Sequence, residues 1–148
     1  YLIAPMFIIS ILGLILSYYN IIPVYKIDSM YWLFVGLAVV LILDAAFLWL
    51  AAVRMSDISK RIENGELVTD GVYALVRHPI YSAWLQISIA IILFSQNIYL
   101  FILPIIFWII LSIALARTEE KWLTDKFGND YVLYAQTTNR FVPFSRLR

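Results

Sequence analysis

Apolar residues gather in four long stretches, at about residues 2–22, 31–53, 79–94 and 98–116, with polar residues concentrated between and after them. Each is near the ~20 residues that carry a helix across a bilayer. Ser95-Gln96-Asn97 separates the last two. A connection that short fits only an antiparallel helical hairpin. The third stretch is the shortest, which predicts a helix starting inside the interfacial layer. Beyond the fourth, Trp122, Leu123 and Phe127 recur at helical spacing, with Lys121, Asp125 and Lys126 on the polar side. Gly128-Asn129-Asp130 reads as a helix stop and a new cap, followed by a short helix from Asp130 through Tyr134. Pro143 ends the organised part. The pattern predicts an all-α fold: a polytopic membrane helical bundle of about four transmembrane helices with an amphipathic C-terminal tail.

Composition strengthens the membrane reading. The 148 residues are 63% hydrophobic and 14% charged, against roughly half and a quarter in soluble domains. A chain this short has no core large enough to absorb the excess. One domain is expected over 1–148, with the first two spans in 1–54 and the polar, chemistry-bearing part in 55–148. The first stretch lacks a basic leader and a small-residue cleavage site, so it is read as a span and not as a signal peptide. Cysteine is absent, which removes disulfides, Cys-based metal sites and thiol nucleophiles. A net charge of +1 gives no support to nucleic-acid binding. Arg54, Lys60, Arg61 and Arg77 lie between the second and third stretches, and Arg117, Lys121, Lys126, Arg140, Arg146 and Arg148 follow the fourth. Only Lys26 falls on the other side. The positive-inside rule then puts the 54–79 loop and the tail together in the cytoplasm.

Candidate chemistry sits in two polar segments, 65–81 and 117–143. Pro79 suits the first turn of the third helix, where its missing N–H costs nothing. That makes His78 a cap residue and leaves the amides of Ile80 and Tyr81 free, an anion site suited to a carboxylate. Glu119-Glu120 stand where the fourth helix leaves the bilayer. Adjacent helical residues point about 100° apart, so the two carboxylates are expected not to face one spot. One would meet a cationic ligand group and the other water or Lys121. A carboxylate-binding helix start opposite a carboxylate suits a zwitterion. The same residues also read as structure: His78 as a plain cap, the Glu pair as solvated charge, and Tyr18, Tyr19, Tyr73, Tyr81 and Trp122 as an interfacial belt. Asp44, mid-way along the second helix, costs about 2.5–3.5 kcal/mol there and should be partnered or functional. No metal cluster, Gly-rich phosphate loop or Ser-His-Asp arrangement is visible in the sequence.

The ordered set Gly71-Val72-Tyr73, Arg77-His78-Pro79-Ile80-Tyr81, Glu119-Glu120, Phe127-Gly128, Tyr131 and Tyr134 resembles the isoprenylcysteine carboxyl methyltransferase family. More distantly it resembles the membrane phospholipid N-methyltransferases. The resemblance covers about residues 66–143. It implies S-adenosylmethionine bound between the two polar segments, with Leu67, Val68, Tyr73, His78, Pro79, Ile80, Tyr81, Glu119 and Glu120 as the cofactor-binding residues. It also implies a lipophilic or prenylated acceptor reached from the membrane, while the cofactor enters from the cytoplasm. Three positions depart from the family pattern. Leu115 replaces an Arg thought to hold a prenylcysteine carboxylate, and Arg117 is the nearest basic residue. Leu133 replaces the Glu of a Tyr-x-Glu-Tyr run, and Ala83 replaces the Gly usual in phospholipid enzymes. Arg140, in Asn139-Arg140-Phe141-Val142-Pro143, matches a basic position in some prokaryotic members. Arg140 and Arg117 are therefore the candidate catalytic residues, holding an acceptor carboxylate. Two rival readings remain. Sterol-reductase-like enzymes using NADPH also carry an Arg-His-Pro element before a helical hairpin, though with Cys in the later segment. A non-catalytic membrane binding module would explain Leu115 and Leu133.

Overall fold

The computed structural model describes residues 3–55 and 58–143. Its helices are α1 (Ile3–Tyr18), α2 (Tyr31–Leu50), α3 (Ile58–Glu63), α4 (Val72–Leu75), α5 (Pro79–Ser95), α6 (Ile102–Arg117), α7 (Glu119–Phe127) and α8 (Asn129–Thr137). A π-turn, Ala51–Met55, continues α2, and 3₁₀ turns at Asp28–Met30 and Ile98–Phe101 precede α2 and α6. Among the described residues there is no strand. The helical runs Asp28–Arg54 and Ile98–Phe127 are long and apolar enough to cross a membrane, and α1 and α5 are shorter apolar helices. Arg117 closes α6, so Glu119 and Glu120 lie beyond its apolar part. Leu2, Arg146 and Arg148, counted among the apolar and basic positions above, lie outside the described residues.

The chain forms two compact units, Tyr1–Ala45 with Ala83–Ile110, and Ala46–Ser82 with Leu111–Arg148. In the first, α1 stops at Tyr18, short of the 22 expected from hydropathy. The reason is local. Asn20 takes the left-handed conformation (φ 55°), the Ile21 amide donates to the Leu16 carbonyl at 2.9 Å and the Asn20 amide to Ser17 at 3.1 Å. This paired closure ends a helix whatever the hydropathy of the residues that follow.

Asn97 organises the remainder of this unit. Its side chain is fully buried. The amide nitrogen donates to Ser17 Oγ at 3.0 Å and the Pro23 carbonyl at 2.9 Å. The oxygen accepts from the amides of Tyr25 at 3.3 Å and Tyr99 at 3.2 Å. All four hydrogen-bonding positions of the side chain are thus filled, joining the loop after α1 to the hairpin turn. Asn97→Leu strands two backbone amides, a carbonyl and a hydroxyl. It is expected to cost about 2 kcal/mol, read as a lower unfolding midpoint; a loss below about 0.5 kcal/mol would contradict this role. The partner expected for Asp44 is Gln86, whose Nε2 donates to Asp44 Oδ2 at 2.7 Å. Edge-on rings, Phe7 against Trp84 and Phe34 against Phe101, complete the packing.

The second unit contains elements that hydropathy did not announce. The helix α3 closes on Gly65 (φ 80°), with the Glu66 amide reaching the Arg61 carbonyl at 2.9 Å and the Gly65 amide reaching Ile62 at 3.0 Å. Gly128 (φ 58°) separates α7 from α8 as its position in the sequence predicted. The helix α8 runs on to Thr137, past the Tyr134 expected.

Candidate functional site

The Arg77-His78-Pro79 element sits where α4 gives way to α5. Val76 is extended (φ −143°, ψ 143°), and Pro79 disfavours helix in the residue before it. The His78 carbonyl accepts from the Ser82 amide at 2.9 Å, so His78 caps α5 through its backbone. Its side chain is left for other work and is buried. The tail lies along this element. The Arg77 amide donates to the Asn139 carbonyl at 2.8 Å and the His78 amide to Arg140 at 3.1 Å. Ser82 Oγ donates to the Phe141 carbonyl at 2.6 Å.

Onto this frame α7 brings the Glu pair. Arg140 grips Glu120 with a fork, Nε to Oε1 at 2.7 Å and Nη2 to Oε2 at 2.6 Å. Arg77 Nη2 and His78 Nε2 each lie 3.2 Å from Glu120 Oε1. His78 Nδ1 is 3.5 Å from Glu119 Oε2, and the Tyr81 hydroxyl donates to Glu119 Oε1. The two carboxylates were expected to face different spots, one of them water or Lys121; only that last part is corrected, because Glu120 is buried against Arg77, His78 and Arg140. The carboxylates do point apart on α7, but an imidazole has nitrogens on two edges, and His78 spans the gap.

The charges support one another. Burial works to raise the Glu120 carboxyl, but hydrogen bonds from His78 and Arg140 and the Arg77 and Arg140 charges outweigh it, bringing it down to about 2. Burial works to lower His78, and the bonds and charges of Glu119 and Glu120 reverse that, leaving it raised. Glu119 is opposed by burial and lowered by His78 and Tyr81. Burial pushes the Tyr131 phenol up to about 12, so it stays a neutral donor at ordinary pH.

A cavity of about 400 Å³ opens beside the cluster, lined in part by Arg77, Glu120, Lys121, Thr124, Tyr131 and Arg140. That volume is within the roughly 300–1,000 Å³ usual for small-molecule sites. Arg77 Nε and the Tyr131 hydroxyl are buried at this wall without a well-formed hydrogen bond, although the Arg77 side chain lies near enough to Tyr131 to work against the rise of its phenol. Two poorly paired buried donors are costly, and they suit an anion.

The remaining sequence candidates take different places. Val68, Tyr73 and Pro79 are buried, while Leu67 and Ile80 are half-buried. The Tyr73 carbonyl accepts from the Tyr134 hydroxyl at 2.5 Å, linking α4 to α8. Arg117 is exposed at the end of α6 and forms no ion pair with the cluster among the described residues. Arg77 and Tyr131 were quoted as motif residues without a role. The available signal was an arginine beside His-Pro, in a segment otherwise poor in charge.

Comparison with known proteins identifies the family of the chain. Residues 34–130 match the phospholipid methyltransferase family, PEMT, well over half the chain. The chain belongs to that family. Among proteins similar to this phospholipid methyltransferase family member is protein-S-isoprenylcysteine O-methyltransferase B of Arabidopsis thaliana, 35% identical over 86 residues, 57% of this chain and 43% of the plant protein. Another is protein-S-isoprenylcysteine O-methyltransferase of Schizosaccharomyces pombe, 31% identical over 86 residues, 57% of this chain and 36% of the yeast protein. The match thus spans less than half the length of either relative. No solved structure matches. His78, Glu119 and Glu120 fall inside the family match, whereas Tyr131 and Arg140 lie beyond it.

Proposed function

We propose that this family member is a multi-pass membrane methyltransferase that uses S-adenosylmethionine to methylate a lipophilic acceptor, with the second unit holding the reaction centre on the cytoplasmic side. The preferred acceptor is a prenylated carboxylate. The observation that carries this reading is the buried cluster of His78, Glu119, Glu120, Arg77 and Arg140 beside a cavity with two poorly paired donors.

The residues fit the cofactor's zwitterionic end. Glu119 has a half-exposed carboxylate, held ionised by His78 and Tyr81, and suits an ammonium group. The first amides of α5, at Ile80 and Tyr81, suit a carboxylate. Val68, Tyr73 and Pro79, which are buried, and the half-buried Leu67 would supply the cofactor's apolar walls. When bound, S-adenosylmethionine supplies an electrophilic methyl group. The protein's part is orientation and exclusion of water. Tyr81 and His78 fix Glu119, and Arg77 Nε with the Tyr131 hydroxyl offers donors to an acceptor oxyanion. Arg140 contributes positive charge at the same wall, although two of its three nitrogens are engaged by Glu120. Arg117, exposed at the end of α6, is the reserve for that role. A carboxylate acceptor is already ionised and requires no base, so holding it desolvated and in line supplies most of the rate.

Calorimetric titration of the detergent-purified chain tests this. S-adenosylhomocysteine should bind and NADPH should not; binding of NADPH alone would overturn the reading. Glu119→Ala should weaken S-adenosylhomocysteine binding by about tenfold or more, since a hydrogen bond to a charged group is lost. Unchanged affinity in that variant would remove Glu119 from the cofactor site.

A further inference from the structure

We propose that Glu120, although adjacent to Glu119 in the motif, is a positioning residue and not a cofactor ligand. It clasps the tail onto the Arg77-His78 element and sets the His78 ring against Glu119. An ionised carboxylate has about four lone-pair sites. Glu120 meets four donors, with Arg140 Nε, Arg77 Nη2 and His78 Nε2 at Oε1 and Arg140 Nη2 at Oε2. Oε1 is therefore crowded by three donors and Oε2 is held by the Arg140 fork, and a side chain only 10% exposed presents little of either oxygen to a ligand's cation. Glu119 differs on each count. Its side chain is 45% exposed against 10% for Glu120, and its partners are one hydroxyl and one imidazole nitrogen at 3.5 Å.

The cations that Glu120 gathers come from two remote segments. Arg77 and His78 precede α5, and Arg140 lies in the tail. The same two segments are joined by the amides of Arg77 and His78 donating to Asn139 and Arg140. Without Glu120, Arg77, His78 and Arg140 would face one another as like charges, and the tail would be driven from its seat. The His78 ring would then keep only Glu119 as a partner, free to rotate about that contact. Glu120 therefore affects the ligand through two intermediaries, the seated tail and the oriented ring.

The experiment compares Glu120→Gln and Glu119→Gln in the full chain in detergent micelles. It measures hydrogen exchange at the Arg77 and His78 amides and S-adenosylhomocysteine affinity as a function of pH. Glu120→Gln should speed exchange at those two amides by about tenfold or more. It should also move the alkaline fall-off of affinity to lower pH, because a ring faced by Glu119, Glu120 and the edge of Tyr81 has lost one of its two anions. A change that merely loosened the fold would leave that midpoint in place. Glu119→Gln should weaken binding and leave both amides protected. Wild-type protection at Arg77 and His78 in Glu120→Gln, or an unmoved pH midpoint, would overturn the proposal. If Glu120→Gln fails to fold, Arg140→Gln removes the forked arm and is read at the same amides, with full protection again counting against it. The binding arm rests on the methyltransferase reading, but the amide arm does not. Failure of the wild type to bind S-adenosylhomocysteine would sink that reading while the exchange comparison still decides the role of Glu120.

Discussion

Replacing Glu120 with Ala is expected to destabilise the protein by about 3–5 kcal/mol, the cost of removing one partner from a buried charge cluster. The figure is large because one carboxylate serves three cations. Arg77 and His78 have side chains only 7% and 5% exposed, so neither reaches water to recover what it loses. Arg140→Ala should cost less. Its side chain is 31% exposed, which screens the charge, and Glu120 would keep Arg77 and His78. The ordering, with Glu120→Ala well above Arg140→Ala, distinguishes a shared hub from independent pairs. Unfolding followed by the fluorescence of the five tryptophans measures it, since the chain has no cysteine for thiol dyes. A loss below about 1 kcal/mol for Glu120→Ala would mean that the cluster is solvated and contributes as a surface pair does.

The fold was legible in the sequence wherever hydropathy governs it. The helices α2, α5 and α6 fall close to their apolar stretches because a long apolar run has few other ways to satisfy its backbone. Hydropathy misplaced the end of α1, where Asn20 and the bonds around it stop the helix inside an apolar run. It gave no sign of α3, which is six residues long and polar, or of the π-turn after Leu50. Nor did it single out Asn97. A lone Asn in a turn looks like ordinary turn chemistry, and only distant partners at Ser17, Pro23 and Tyr25 reveal a hub. At the site, the polar segments and the Glu pair could be found from charge distribution alone. The arrangement within them could not. Helical geometry separates Glu119 from Glu120 correctly, but the ring that joins them comes from another helix start. The clasp on Arg140 depends on a tail whose path is fixed by backbone hydrogen bonds, which leave no residue signature.

Stability is expected to be greatest between about pH 4.5 and 6.5 and to fall on both sides, for opposite reasons. The Glu120 carboxyl titrates at about 2 in the folded protein against an ordinary 4.5. Its contribution is present above 4.5 and is lost as the pH falls through about 2. Integrated over that window it amounts to at most about 3–4 kcal/mol, and to less where the cavity mouth admits water. His78 behaves in the reverse sense. Its folded value is raised above 6.5, so its contribution is complete below 6.5 and is lost as the pH rises through the raised value. Asp70 is also lowered, by its bond to Arg61, but that pair is on the surface and adds little. Unfolding midpoints across this range measure both limbs. His78→Asn should flatten the alkaline limb while retaining the acid one, because Arg140 and Arg77 still hold Glu120 ionised. Wild-type stability that keeps climbing as the pH rises toward 6.5 and then stays level into the alkaline range would show that His78 is neutral between the two carboxylates. One ring nitrogen would then have no proton to offer, so the bridge between Glu119 and Glu120 would be broken on one side.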